Sequence, residues 1–119
     1  MNRYQLADAM IKGLHAKGVE ESRKHYVAVT ESKNLCKACA LGCALIGQLD
    51  GDYRKAERVY DEKCASLGND AHEFRIFADL LNITETLAFK VEHYHLQGMP
   101  IQQIAAWLKS SEETEVKTI

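Results

Sequence analysis

The sequence has no apolar run approaching the ~18 residues that a membrane-spanning helix needs, which excludes that class of protein. Its first residues, Met1 to Asp8, lack the charged-then-apolar pattern of a secretory signal, because Asp8 interrupts the only candidate stretch. A cytoplasmic location follows as the expectation. In that reducing environment Cys36, Cys39, Cys43 and Cys64 are not expected to form structural disulfides. There is also no strong surplus of charge. The formal net charge of −2 gives no global attraction to nucleic acid or to anionic lipid. Internal repeats, low-complexity linkers and domain boundaries are absent as well, so one domain over residues 1–109 is expected, followed by a polar, acidic tail over 110–119.

Four catalytic or ligand-binding patterns are missing too. No His-Glu-x-x-His occurs, and no histidine stands near a serine in a recognisable catalytic order. His93 and His95 are two residues apart, so on a helix they point to different sides and cannot chelate one ion together. The seven glycines are scattered as turns and helix stops rather than gathered ahead of a helix, which disfavours a phosphate cradle. No catalytic residue is expected.

What is present is an ordinary globular balance, 46% hydrophobic and 27% charged, with enough chain for a real core. The charge is mildly uneven, positive over residues 1–63 and negative over 64–119, as solvated helix faces commonly are. Leu6, Ala7, Met10, Ile11 and Leu14 recur at three-and-four spacing, predicting a helix over 3–17 capped by Asn2 with Gln5 and stopped at Gly18. The β-branched and aromatic run His25–Thr30, a turn at Ser32–Asn34 and a return through Leu35–Lys37 predict a hairpin within residues 25–37. A nearly uncharged, small-residue stretch over 38–48 predicts a helix buried on most sides, whose small side chains let neighbouring helices approach closely.

Asp52 should cap a helix with the stripe Tyr53, Ala56, Tyr60, Cys64 and Leu67, ended by Gly68. Asp70 with Glu73 opens another, carrying Ala71, Phe74, Phe77, Ala78 and Leu81. Thr84 caps a third, which turns Leu87, Ala88, Val91 and either Tyr94 or His95 inward and stops at Gly98. Pro100, at the first helical position, opens the last, with Ile101, Ile104, Ala105 and Leu108 on its inner face. The fold expected is therefore mainly α: a compact bundle of five or six short helices with one short β-hairpin near residues 25–37.

Cys36, Cys39, Cys43 and Cys64 are the candidate metal ligands, since four thiolates can hold zinc tetrahedrally. Zinc knuckles sit in polar or glycine-rich turns, however, whereas Ala38, Ala40 and Leu41 fill the gaps here, and no second Cys-x-x-Cys exists. Cys36, Cys39 and Cys43 read better as small buried hydrophobes on one helix face, with no cofactor expected. Thiol redox chemistry would need Cys36 at a helix N-terminus, beside Lys37, without the βαβ setting that usually supports it.

Residues 98–119 resemble the opening helix and turn of helix-turn-helix DNA-binding modules through Ile104-Ala105, Leu108, Ser111 and Thr114. The segment that would enter the groove carries Glu112, Glu113 and Glu115 against Lys117, and carboxylates repel phosphates. DNA binding is therefore the alternative rather than the leading expectation.

The run Cys39-Ala40-Leu41-Gly42-Cys43-Ala44 resembles the "CALGAA" signature of small bacterial and phage-borne proteins. The opening Ala7-Asp8-Ala9-x-x-x-Gly13 and the closing Gly98–Leu108, similar to "G-x-S-x-x-x-IA-x-WL", fall in the same order. Cys43 stands where that signature has alanine, and His95-Leu96 where an Asn-Asp pair is often found. The resemblance implies a helical accessory protein of a phage or mobile element, with no activity or catalytic residues to carry over. The function expected is non-enzymatic and regulatory, exerted on a protein partner or a second copy of the chain through aromatic residues such as Trp107 and Tyr94.

Overall fold

A computed structural model describes residues 1–30, 32, 34–68 and 72–110. Among these residues the chain forms α1 (Arg3–Leu14), β1 (Val19–Glu21), β2 (Val27–Thr30), β3 (Leu35–Ala38), α2 (Ala40–Gln48), α3 (Tyr53–Leu67), α4 (Glu73–Leu81), α5 (Glu85–Leu96) and α6 (Ile101–Ser110). The fold is mainly α, six helices around one core with a small sheet at one side.

The expected hairpin is present. β2 and β3 pair antiparallel, with Val27 opposite Ala38 and Val29 opposite Cys36. A third strand was not anticipated. β1 pairs in parallel with β3, Val19 against Cys36 and Glu21 against Ala38, which makes β3 the central strand. Period-two alternation along β3 buries Cys36 and Ala38 against the helices and leaves Lys37 exposed.

Several helix limits shift by a few residues. α1 stops at Leu14, because the chain must turn at Gly18 (φ +86°) into β1. α2 starts at Ala40 because pairing to β1 and β2 holds Ala38 extended; Cys39, also extended, becomes its N-cap. This overturns the expected single helix face for the cysteines. Cys36 lies in the central strand, Cys39 at the cap and Cys43 alone within the helix, though all three are buried. His72 caps α4, its Nδ1 accepting from the Phe74 amide at 3.4 Å. The expected cap at Asp70 and the stripe position Ala71 lie outside the described residues. α6 begins one residue after Pro100, whose carbonyl accepts from Ile104 N.

Helix α2 is the centre of the molecule, with every residue from Ala40 to Gly47 buried. It packs most closely on α1. A Cβ on Gly13 would collide with the Cys43 carbonyl, and one on Gly47 with the Ala9 carbonyl, so the two backbones touch where side chains would normally separate them. On the far side of α1, Ile101, Ile104, Ala105 and Leu108 of α6 close the core. Arg3 Nε donates to the Leu108 carbonyl at 3.2 Å, and Lys109 meets Asp8 at 2.6 Å, fixing the end of α6 against the start of α1.

Candidate functional site

The outer faces of α4, α5 and α6 carry a connected row of aromatic side chains. Thr84 Oγ1 accepts from Leu87 N at 3.0 Å, which starts α5 in the register that turns Leu87, Ala88 and Val91 into the core. Phe89 and His93, four residues apart, are thereby left on the outer face, their rings stacked at 5.5 Å. Phe89 is 48% exposed and meets Phe74 edge-on at 5.3 Å; Phe74 in turn lies 4.4 Å from the His72 ring. In the other direction His93 contacts Tyr94 at 6.1 Å, and Tyr94 meets Trp107 edge-on at 5.0 Å. The Arg3 guanidinium covers Trp107 at 4.5 Å, a cation–π arrangement that closes the row.

The structure thus places Tyr94 and Trp107, the two expected interaction residues, in contact with each other. Both are half-buried against the core. Of the more exposed part of the row, Phe89, His72 and His93 were not singled out as interaction residues, while Phe74, read from the sequence as part of the stripe of α4, is half-buried against the core. The i, i+4 pair Phe89/His93 on the face opposite Leu87 and Val91 was the available signal. At that end His72, Phe74, Glu85, Thr86 and Phe89 line a groove of about 300 Å³.

The thiols of the cysteine segment are shifted away from the thiolate form. Burial pushes the Cys36 thiol up to about 11 and the Cys43 thiol up to about 12, with the nearby Glu21 carboxylate acting in the same direction on Cys43. Burial raises Cys39 furthest, and the Glu92 carboxylate adds to it. The Gly42 amide, which donates to Cys39 Sγ at 3.4 Å, opposes them only in part. An activated thiol needs the opposite environment, a cation or an open helix N-terminus that favours the thiolate. Cys36, which the redox alternative needed at a helix N-terminus, lies in β3 instead, and the N-cap of α2 is the buried Cys39. Cys64 stands apart from the other three, half-buried on α3. Among the described residues, no three His, Cys, Asp or Glu side chains are grouped to hold a metal ion.

Two titratable groups of α5 are buried: His95, one of the two residues expected to turn inward, and Glu92, which was not singled out from the sequence. His95 is fully buried, and its Nε2 lies 2.7 Å from Glu21 Oε2 on β1, while Arg23 Nε donates to the His95 carbonyl at 2.7 Å. Burial lowers the pKa of His95, against the pull of Glu21, so the ring is neutral at pH 7 and its Nε2–H donates to the carboxylate. This pair ties the first strand to the end of α5.

Glu92 is only 3% exposed and its Oε1 has no hydrogen-bond partner among the described residues. Burial raises its pKa, with the Cys39 hydrogen bond partly offsetting the shift. The carboxyl therefore holds its proton more tightly folded than unfolded. The corresponding stability is complete below the unfolded-state pKa and is lost as pH rises through the folded-state value. Glu92→Gln abolishes that titration. Urea denaturation of the two proteins should differ by less than about 0.5 kcal/mol at pH 4. At pH 8 the variant should be the more stable of the two, because it carries no buried charge. A pH-independent difference would contradict this account of Glu92.

The apolar inner face expected for the last helix is present, since Ile101, Ile104, Ala105 and Leu108 are all buried. The acidic segment that would have to enter the groove, residues 111–119, lies outside the described residues. No family model, curated protein or solved structure matches the chain.

Proposed function

We propose that this chain is a non-enzymatic accessory or regulatory module that binds a protein partner through the aromatic face of α4, α5 and α6. The CALGAA resemblance implies such a role within a phage or mobile element. The observation that carries the reading is the continuous row from His72 to Trp107, with Phe89 half exposed beside an open groove. Aromatic side chains dominate binding energy at interfaces because they bury much area for little conformational entropy. The groove between Phe74 and Phe89 takes one aromatic or branched aliphatic side chain, and Glu85 at its rim favours a lysine or arginine next to that anchor.

The test is site-specific photocross-linking in the native host, with p-benzoylphenylalanine in place of Phe89 and, as a control, in place of the exposed Arg58 on α3. Position 89 should yield an adduct to one polypeptide and position 58 none. With that polypeptide purified, Phe89→Ala should weaken binding about 30-fold, the ~2 kcal/mol of an interface hot spot. No adduct at 89, the same adduct at 58, or unchanged affinity of the alanine variant would each overturn the proposal.

A further inference from the structure

On the other side of α4 lies a second concavity that neither the aromatic row nor the cysteine segment uses. It is a cavity of about 340 Å³, open to solvent, between the bend before β2, the C-terminal half of α3 and the first turns of α4. Tyr26 and Tyr60 form its aromatic wall, Ala65 and Ile76 its aliphatic part, and Cys64 lies beside them. The two phenol rings are 6.0 Å apart, and both rest on the fully buried Phe77, at 6.1 and 5.0 Å, which holds the wall in place. The charged side chain lining the cavity is Glu73; no lysine or arginine lines it among the described residues.

We propose that this cavity is a binding site for a small organic cation, an ammonium group carried on a flat apolar body. Aromatic faces carry negative charge density and attract ammonium groups, most strongly where water is partly excluded. The carboxylate of Glu73 supplies a full opposite charge at the same wall. Glu73 acts on the neighbouring Tyr26 hydroxyl, and its two carboxylate oxygens can accept from a further donor. His72 Nδ1 lies 3.3 Å from one Glu73 oxygen, Oε2, and 3.4 Å from the Phe74 amide nitrogen.

The surroundings of the Tyr26 hydroxyl act in the same direction. Glu92, with its unpartnered buried Oε1, lies close enough to act on Tyr26. The Tyr26 hydroxyl is pushed up to about 12, by burial first and then by Glu73 and Glu92, so the wall experiences a negative field. An aromatic, anionic cavity of this kind favours a cation over a neutral molecule of the same shape, and strongly disfavours an anion.

The experiment is an amide NMR titration of the full chain with phenethylammonium, 2-phenylethanol and phenylacetate, three probes of similar shape and different charge. Saturable shifts at Ala65, Gly68 and Ile76 are expected with phenethylammonium at millimolar concentration, about tenfold weaker binding with the alcohol, and none with the carboxylate. Glu73→Gln should weaken phenethylammonium about tenfold. Glu85→Gln, in the groove across α4, should leave it unchanged, which separates this site from the proposed partner surface. Tyr60→Phe should retain binding and Tyr60→Leu lose most of it. Equal affinity for the alcohol, unchanged affinity in Glu73→Gln, or no saturable shift with the cation would each overturn the proposal.

Discussion

Gly47→Ala should destabilise the fold by about 3 kcal/mol or more, a large loss for the addition of a single methyl group. In an exposed helix the same change stabilises by about 1 kcal/mol, since alanine is the better helix former. Here the propensity gain is overwhelmed because the new Cβ would occupy the position of the Ala9 carbonyl of α1, which is backbone and cannot rotate away. The helices must move apart, and with them Leu6, Met10, Leu41 and Leu45, all at most 1% exposed. Gly13→Ala meets the Cys43 carbonyl from the opposite side of the same crossing and should cost a similar amount. The two substitutions relieve one another once the helices have separated, so the double variant should lose less than the sum of the singles. Gly98→Ala is the control. Nothing lies within 4 Å of its added Cβ, and only its positive φ of 104° resists, at a cost of about 1–2 kcal/mol. Urea denaturation measures all four, and a Gly47→Ala loss no greater than that of Gly98→Ala would remove the close crossing from the account.

This crossing shows what a sequence can and cannot reveal. The lack of any polar face over residues 38–48 already implied a buried helix among close neighbours, and α2 is that helix. Caps with a distinctive side chain were also legible. Asn2 and Gln5 form the reciprocal box, at 2.8 Å each way, and Asp52 accepts from Lys55 N at 3.0 Å. What could not be read depends on partners distant in the chain. β1 contains only three residues, two of them glutamates, and its pairing with β3 leaves no periodicity to detect. Glu92 lies on a helix whose apolar stripe is interrupted by charge and is buried by tertiary packing, and the sequence left open whether Tyr94 or His95 turned inward. The aromatic row draws on α4, α5 and α6, and its steps from Phe74 to Phe89 and from Tyr94 to Trp107 join residues of different helices. The cysteine spacing was a different kind of failure. Positions i, i+3 and i+7 fit one helix face, but strand pairing through Ala38 placed Cys36 in the sheet instead. Burial of the three thiols was legible because their neighbours are small and apolar; the element carrying each was not.

Native-state thiol labelling has the largest expected effect in rate and addresses the central claim, that this cysteine segment is the packing seam of the fold rather than its chemistry. Cys36, Cys39 and Cys43 are at most 1% exposed and their thiols are shifted away from the reactive thiolate. They can react only when the β3–α2 region opens, whereas Cys64 at the cavity wall is accessible in the folded protein. With a chromogenic disulfide at pH 7.5, one thiol should react quickly and be lost in Cys64→Ser. The other three should react at least about 1,000-fold more slowly, at rates that follow global stability and accelerate in Gly47→Ala. Rapid native-state modification of Cys36, Cys39 or Cys43 would contradict the claim and return that segment to the candidates for thiol chemistry.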